Sequence, residues 1–368
     1  MKINSFVIIM GFLHFSCSNY TKSVELTEFP VDTEQGESLP LSEITDTINA
    51  IELELTDESL INPDRIKRIF LCDNNVIVSD RDNILVFGTD GKFIRKIGSK
   101  GQGPGEYTGI RNLAIDESNK HLYLNAQSKF ICYDWDGTCL KESTPFQQGN
   151  ISVTDMNYIN NELLLVVEQA GKEDERGLFN YSAVYWLNDE LQIIDSCTIR
   201  VNYFERPGLF IHPYENFILN GNSTVYLYYS ELYYADQQKP SETVLRDTLY
   251  RLEENHLVPE LKLKFKDNGI DGSGNKFIEL MNINRSSRYV FAVYSMENNF
   301  YHFCYDTKTG KGYNMKEGYM DDINQIEKPV SIRPFNLDTE MFYYLYTHMK
   351  PDDLEEPNPT LYIGRLKK

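Results

Sequence analysis

Two segments carry residues whose types and spacing could bind a metal ion or a phosphate. Within residues 267–275, Asp267, Asp271 and Asn275 offer oxygen ligands like those at the start of a calcium loop. The closing Glu of such a loop would fall at Ile278, and Glu279 comes one residue late. We therefore expect a solvated loop here, and we expect no metal or other cofactor.

The glycine-rich segment 98–105 resembles a phosphate loop only in its glycine content. A Walker loop continues as Gly-Lys-Ser/Thr into a helix, whereas Gly103 precedes Pro104, which has no N–H to donate. The following residues return to a strand pattern. The segment is better explained as a tight crossover that needs positive φ angles.

Residue types common in catalytic centres are present, but they match no catalytic pattern. The chain contains neither a Gly-x-Ser-x-Gly elbow nor a His-Glu-x-x-His helix. Acidic residues such as Asp80 and Asp82 lie in predicted turns, where they are common anyway. The histidines outside the leader are scattered over predicted strands and connections: His121, His212, His256, His302 and His348. The sequence therefore predicts no catalytic residue.

Aromatic and polar residues in the long connections are better suited to recognition. Tyr and Arg side chains can stack on a sugar, a peptide or an aromatic group. With 25 Tyr in the chain, however, Tyr is expected in many connections whatever their role. The candidate ligand-binding residues are Arg81, Gln102, Glu106, Tyr107, Tyr203, Arg206, Tyr214, Tyr233 and Tyr234.

A repeated β-rich unit must position these residues. Short Tyr-, Phe-, Val- and Ile-rich runs recur six times, separated by tight turns at 90–91, 136–137, 188–189, 254–255 and 309–310. One such unit cannot bury its apolar face without neighbours. The pattern predicts an all-β, six-bladed β-propeller with four-stranded antiparallel blades.

The blade limits follow from the turn positions. A strand pattern at 48–55 precedes the first blade and should complete the last one, so that strands from both ends of the chain close the ring. The predicted strands are 66–71, 76–79, 84–87 and 93–97 in blade 1 and 113–116, 121–125, 130–133 and 139–141 in blade 2; later blades span 153–199, 217–265, 277–315 and 332–366.

Connection length predicts which face of the ring binds a ligand. Turns between the first and second strands and between the third and fourth are short and lie on one face. The other connections reach the opposite face and are long, for example 98–110, 168–180, 200–216, 230–246 and 317–328. Insertions gathered on one face of a repeat array usually mark its binding surface.

Charge and the amino terminus indicate the compartment. A net charge of -19 argues against a nucleic-acid partner. Residues 1–16 read as a signal peptide, followed by Cys17 in a lipobox-like context in which His14-Phe15 departs from the usual pattern. Lipidation at Cys17 is predicted, with simple secretion as the alternative. Residues 17–43 then read as a polar, lipid-anchored tether and 44–368 as the propeller.

Several motifs resemble those of a known family. The segments 97–107, 247–252, 305–311 and 358–363 are similar to the six-bladed β-propeller lipoproteins of Bacteroidetes, relatives of NHL and TolB-like propellers. The resemblance covers nearly the whole mature chain. It implies the fold and a cell-envelope location, with membrane contact through the lipid anchor only. Without an acidic run after Cys17, the periplasmic side is expected.

Two classes of function remain open from sequence. The favoured prediction is a non-catalytic binding or scaffold module that recognises a glycan, a peptide or an envelope protein through the long-loop face. The alternative is an enzyme, a lyase or hydrolase, with its site at the axial channel. Histidines or carboxylates meeting in the channel would favour the enzyme, and an aromatic, Arg-lined face would favour binding.

Overall fold

Three elements precede the first blade. The computed structural model describes residues 26–34, 36, 38–126, 129–146, 151–204, 209–211, 218–221, 224–230, 232–235, 239–240, 246–269, 271–272, 277–349 and 357–368. The chain begins with β1 (Thr27–Val31), α1 (Leu41–Ile44) and β2 (Thr45–Glu52), and a 3-10 turn follows at Pro63–Arg65. Within the described ranges no helix is long and apolar enough to cross a membrane.

Blades 1 to 3 are four-stranded antiparallel meanders in chain order. Their bounds agree closely with the predicted ones in blades 1 and 2, because Asp-Gly turns mark the hairpins. A short parallel pair lies between these two blades. The strands are β3 (Arg68–Cys72), β4 (Asn75–Ser79), β5 (Ile84–Gly88) and β6 (Phe93–Lys96); the pair β7 (Ser99–Lys100) and β8 (Glu106–Tyr107); β9 (Asn112–Asp116), β10 (His121–Ala126), β11 (Lys129–Asp134) and β12 (Cys139–Ser143); and β13 (Ile151–Ile159), β14 (Glu162–Asp174), β15 (Gly177–Leu187) and β16 (Ile193–Phe204).

Blades 4 to 6 complete the ring, with two small sheets inserted in their connections. The remaining strands are β17 (Leu209–Ile211), β18 (Ile218–Gly221), β19 (Thr224–Leu227), β20 (Leu232–Ala235), β21 (Lys239–Pro240), β22 (Thr248–Glu253), β23 (His256–Phe265), β24 (Ile278–Arg285), β25 (Tyr289–Met296), β26 (Asn299–Asp306), β27 (Lys311–Lys316), β28 (Tyr319–Asp321), β29 (Ile326–Val330), β30 (Arg333–Asn336), β31 (Met341–Tyr346) and β32 (Thr360–Leu366), and a second 3-10 turn spans Lys266–Gly269. The six sheets confirm the predicted all-β, six-bladed propeller.

Each blade buries both of its faces against its neighbours. In blade 1, Ile77 and Val86 pack against blade 2, while Val78 and Leu85 pack against blade 6. Alternate residues of one strand therefore contribute to two different cores. This explains why the inner strands read as nearly continuous apolar runs, without the polar alternation of a one-sided sheet.

The ring closes through β2, which pairs antiparallel with β32 as the outermost strand of blade 6. The register runs from Thr45 opposite Leu366 to Glu52 opposite Thr360. Gly91, at φ +81°, lies against this strand, since a Cβ there would approach the Glu52 carbonyl oxygen to 2.0 Å. Closure by strands from both ends of the chain is therefore confirmed.

The segment predicted as a tether folds onto the propeller over part of its length. β1 pairs in parallel with β23 and becomes a fifth strand of blade 4. Phe29 and Val31 are buried in the core between blades 4 and 5. Residues 39–44 pack between blades 5 and 6 through the buried Leu39, Leu41 and Ile44. The prediction of a tether over 17–43 is thus wrong for β1 and for 39–43, because apolar residues there complete existing cores.

We expect truncation of Phe29 to lower the free energy of unfolding. Phe29 is 6% exposed and its ring lies 4.9 Å from that of Tyr305, so Phe29→Ala removes buried apolar contact and leaves a cavity. Such changes cost about 3–5 kcal/mol. Denaturant unfolding measures the difference, with Glu28→Ala as the matched control on the exposed side of the same strand. Equal stability of F29A and wild type would show that β1 is not bound in solution.

Candidate functional site

The crossover from blade 1 to blade 2 holds three of the predicted binding residues and Arg81 lies in the β4–β5 connection, but these four are not presented together. Arg81 and Gln102 are exposed, and Glu106 is half-buried. Tyr107 is 3% exposed, with its ring in the core between the two blades. Tyr107 therefore does not face the loop surface, because its ring fills the gap between the two blades.

The glycine-rich segment donates its backbone N–H groups internally. Gly101 N–H donates to the Tyr107 carbonyl at 3.0 Å, and Gly103 N–H donates to Glu106 Oε2 at 2.8 Å. Gly105 N–H donates to the Glu142 carboxylate. Gly98 and Gly105 have φ values of +66° and +69°. The segment is thus the predicted positive-φ crossover, and these amides are not available for a phosphate.

Several predicted residues lie where no side-chain geometry is described. Tyr233 and Tyr234 belong to β20, and Asp267 belongs to the second 3-10 turn. Asp271 is exposed. The remaining predicted residues, Cys17, Arg206, Tyr214 and Asn275, lie outside the described residues.

Blade 3 extends beyond the rest of the ring at the long-loop face. The predicted long connection at 168–180 is instead a continuation of β14 and β15, with Asp174 opposite Gly177 at the tip. A register shift between Gln169 and Lys172 accommodates Gly171, at φ +66°, whose N–H donates to Asn180 Oδ1 at 3.0 Å. This bulge bends the hairpin. We call the projecting parts of β14, β15 and β16 (residues 168–182 and 198–204) the blade 3 extension.

Tyr203 belongs to an interacting group at the tip of the blade 3 extension. Its hydroxyl donates to Asp174 Oδ2 at 2.8 Å, and the Arg176 guanidinium lies 4.4 Å from the ring centroid. Phe179 lies opposite Tyr203 in the strand register, with ring centroids 5.3 Å apart. Desolvation raises the pKa of Tyr203 and the hydrogen bond to Asp174 raises it further, so the hydroxyl stays protonated at neutral pH. The group holds an aromatic ring in a fixed orientation at an exposed site.

The outer strand of blade 3 exposes an unusual amount of apolar surface. On β16, Ile193 is 40%, Ile194 60%, Val201 41% and Tyr203 37% exposed. β16 is also the terminal strand of its sheet, so no strand in the described part of the chain pairs with its outer edge. Exposed apolar residues on a long edge strand are typical of a surface that receives a partner. Of this group, sequence reasoning singled out only Tyr203.

The opposite face of the blade 3 extension is polar. It borders a cleft of about 620 Å³ between blades 3 and 4. Arg200 lies over the Tyr229 ring at 5.6 Å and donates to the Tyr229 carbonyl at 3.3 Å, and Arg246 donates to Asn202 Oδ1 at 3.4 Å. The extension is therefore aromatic on one side and rich in Arg and amide groups on the other.

The axial channel is crossed by a buried ion pair. Arg68, on the inner strand of blade 1, lies 3.3 Å from Asp155 on the inner strand of blade 3. Arg68 also donates to the carbonyls of Leu113 and Met156. Asp155 Oδ2 accepts from the Ile218 N–H at 3.1 Å. One side chain from each of two blades thus connects the inner strands of blades 1, 2, 3 and 4.

The titratable groups described near the channel serve structural bonds. Asp116 is 1% exposed and accepts from the Asn119 N–H at 3.1 Å and from Asn119 Nδ2 at 2.7 Å. Glu117 accepts from the Asp73 N–H at 3.1 Å. His302 is buried between blades 5 and 6, where burial lowers its pKa to about 4 and keeps it neutral. In the described ranges, histidines and carboxylates do not converge on the channel beside the long loops.

The fold and this surface define a six-bladed β-propeller in which the blade 3 extension projects beyond the ring. The chain belongs to the family described as a domain of unknown function, DUF4934, whose family model matches residues 26–363. Among curated proteins, no sequence matches this chain.

Solved structures of Bacteroides proteins are similar in fold. A Bacteroides fragilis protein considered to be exported shares 18% identity and a TM-score of 0.60, over 93% of this chain and 99% of that one. A member of the duf4221 family from Bacteroides vulgatus matches at 9% identity and a TM-score of 0.44, over 91% of this chain and 99% of that one. At 18% identity, the similarity to the Bacteroides fragilis protein shows the fold alone.

We expect the channel ion pair to behave as a coupled unit in unfolding experiments. Arg68→Met leaves the buried Asp155 carboxylate without its counter-charge, and Asp155→Asn leaves the Arg68 guanidinium without its counter-charge; each should cost about 3–5 kcal/mol. R68M/D155N should cost clearly less than the sum, because the amide still accepts from Ile218.

Denaturant titration gives the three values. The matched control is Lys92→Ala, which breaks an exposed pair with Glu54 and should change stability by less than about 1 kcal/mol. Strict additivity of the two channel substitutions would contradict the coupling.

Proposed function

We propose that the protein is a non-catalytic recognition module of the cell envelope, which binds a polypeptide segment of an envelope partner along the β16 edge of blade 3. The observation that carries the proposal is the exposed apolar surface of β16, next to the fixed aromatic group at Tyr203. An extended segment added to this edge would gain main-chain hydrogen bonds, while apolar side chains on β16 would select the residues that it presents.

Blades 1, 2, 4 and 5 protect their outer edges, and blade 3 does not. β6, β12 and β27 are short and carry lysines, which oppose strand addition: Lys96, Lys141, Lys311 and Lys316. Blade 4 has its edge covered by β1. β16 has no Lys between Ile193 and Phe204 and is longer than any of these three edge strands. This contrast supports a binding role for the β16 edge.

The geometry of the channel supports binding over the enzyme alternative. An enzyme there would need titratable groups directed into the channel and available for proton transfer. The described candidates, Asp116, Glu117 and Asp155, accept hydrogen bonds from the protein itself. Their arrangement supports the turns and joins the blades.

The envelope location is the second part of the proposal. The signal-like leader, the lipobox-like context of Cys17 and the similarity in fold to a Bacteroides fragilis protein considered to be exported support it. We infer that Cys17 carries the lipid, that the propeller lies on the periplasmic side and that it is related to NHL and TolB-like propellers.

We expect a photo-crosslinking amino acid at Val201 to form one discrete adduct in intact cells. A partner strand on β16 would lie next to this position. The control is the same amino acid at Ile94, which is 46% exposed on the outer strand of blade 1 and should form no such adduct. Gel shift and mass spectrometry of the purified adduct identify the crosslinked species.

Substitution of the same edge tests how the partner is held. Ile194→Lys places a charge on the 60% exposed position of β16 and should reduce the Val201 adduct at least tenfold, whereas Ile94→Lys should not. An adduct that is unchanged in I194K would refute strand addition. An adduct removed by glycosidases but not by proteases would refute a polypeptide partner.

We expect Cys17→Ser to move the protein from the membrane fraction to the soluble fraction, because the lipid is the proposed attachment. Protease added to intact cells should leave the wild-type protein undigested, and permeabilising the outer membrane should expose it. Prompt digestion in intact cells would place it on the cell surface instead. Membrane retention of C17S would disprove the lipid anchor.

A further inference from the structure

A cleft between blades 5 and 6 shares no residue with the β16 edge. Its volume is about 450 Å³, within the roughly 300–1,000 Å³ of sites that bind small molecules. One wall is formed by residues of β24, β25 and β26 in blade 5, and Ser331, directly before β30, lies on the side of blade 6. We call it the blade 5–6 cleft.

The blade 5 wall of this cleft is apolar and partly aromatic. Phe300 is 55% exposed, although its strand, β26, lies inside the sheet between β25 and β27. Met281 and Val293 line the same wall. A phenyl ring beside a thioether and an aliphatic side chain suits the apolar body of a ligand, and the face of the ring also attracts a cation.

The mouth of the cleft carries a negative charge. The Glu317 N–H donates to the Phe300 carbonyl at 3.1 Å, so the two residues are neighbours. The exposed Glu317 carboxylate forms no ion pair with a described residue, and the described lining of the cleft contains no Lys or Arg. A carboxylate beside an exposed phenyl ring favours a positively charged group over a neutral or negative one.

The inner part of the cleft contains a polar side chain without a partner. His302 is 6% exposed and makes no hydrogen bond with a described residue, and the protein does not cover its ring nitrogens completely. Burial lowers its pKa to about 4, so at neutral pH the imidazole offers one donor and one acceptor and does not repel a cation. A buried polar group at a cleft wall without a partner indicates a hydrogen bond supplied by a ligand.

Strand geometry fixes the distance between the mouth and this imidazole. Phe300 and His302 are two residues apart on β26, opposite Ser295 and Val293, so their side chains share one face of the blade about 7 Å apart. A comparable span separates the ammonium and hydroxyl groups of a short hydroxyaryl amine. The cleft therefore matches such a molecule in charge, apolar surface and length.

We propose that the blade 5–6 cleft binds a small primary amine that has an aromatic body and a polar group at its far end. The ammonium group pairs with the Glu317 carboxylate against the Phe300 ring. The body packs on Met281 and Val293, and the far hydroxyl hydrogen-bonds to His302. This function goes beyond strand recognition along β16 and does not depend on it.

Ligand-observed NMR titration of the purified protein tests the proposal with tyramine, tyrosol and 4-hydroxyphenylacetate. These probes share a ring and a hydroxyl but end in a positive, a neutral and a negative group, respectively. We expect saturable binding of tyramine, at least tenfold weaker binding of tyrosol and still weaker binding of 4-hydroxyphenylacetate. Phenethylamine, which lacks the hydroxyl for His302, should bind about fivefold more weakly than tyramine.

Variants distinguish this site from a general attraction of an acidic protein for amines. Glu317→Gln should weaken tyramine about fivefold, as for one exposed ion pair. The matched control is Glu327→Gln, which removes the same charge at an exposed position of β29 outside the cleft and should bind normally. Phe300→Ala, also at an exposed position, should weaken tyramine about fivefold.

I194K should leave tyramine binding unchanged, which separates this site from the recognition edge. Absence of saturable tyramine binding would overturn the proposal. So would binding of 4-hydroxyphenylacetate as tight as that of tyramine, an equal effect of E317Q and E327Q, or unchanged binding in F300A.

Discussion

The pairing of β2 with β32 is the constraint on which the rest of the molecule depends. A propeller blade buries both faces only if it has a neighbour on each side, and blades 1 and 6 become neighbours only when the ring is closed. Asn358 reinforces the closure: its Oδ1 accepts from the Ile61 N–H at 2.8 Å, and its Nδ2 donates to the carbonyls of Glu54 and Ser59 at 2.9 and 2.8 Å. One side chain near the end of the chain thereby fixes the segment that follows the closing strand.

A closed ring also explains how a long hairpin can project from blade 3. The lower part of that blade is packed on both sides, through Leu165 and Ala183 toward blade 2 and Val184 and Trp186 toward blade 4. Its upper part can then remain exposed without loss of register. The aromatic group at Tyr203 therefore stands on a rigid base, which is what a recognition surface requires. The ion pair across the channel adds a second rigid connection at the centre.

Much of the fold is readable from sequence because local signals mark it. Asp90-Gly91 and Asp136-Gly137 fix two hairpins, since glycine takes the φ values of +81° and +87° that these turns need. β1 could not be read in the same way. Its Glu28 and Pro30 suggest a solvated tether, and only the presence of β23 beside it makes Phe29 and Val31 core residues. Its pairing joins segments far apart in sequence, which local patterns do not encode.

The candidate site was readable only in part for a related reason. A Tyr in a connection can fill a core, as Tyr107 does, or project from a surface, as Tyr203 does, and composition does not distinguish them. The sequence of the blade 3 extension predicts a loop, because the residues from Lys172 to Asn180 include charged and amide side chains on both faces of the hairpin. The Arg68–Asp155 pair joins two strands that no local motif relates.

The placement of the two amino-terminal strands limits the order in which the blades can form during synthesis. β1 and β2 emerge first, but their partners β23 and β32 lie more than half a chain later. Blades 1 to 3 consist of contiguous segments and can form one after another. Blades 4 and 6 each include a strand from the amino terminus and are complete only after β23 and β32, respectively, have been synthesised. The ring therefore cannot close before β32 has been synthesised.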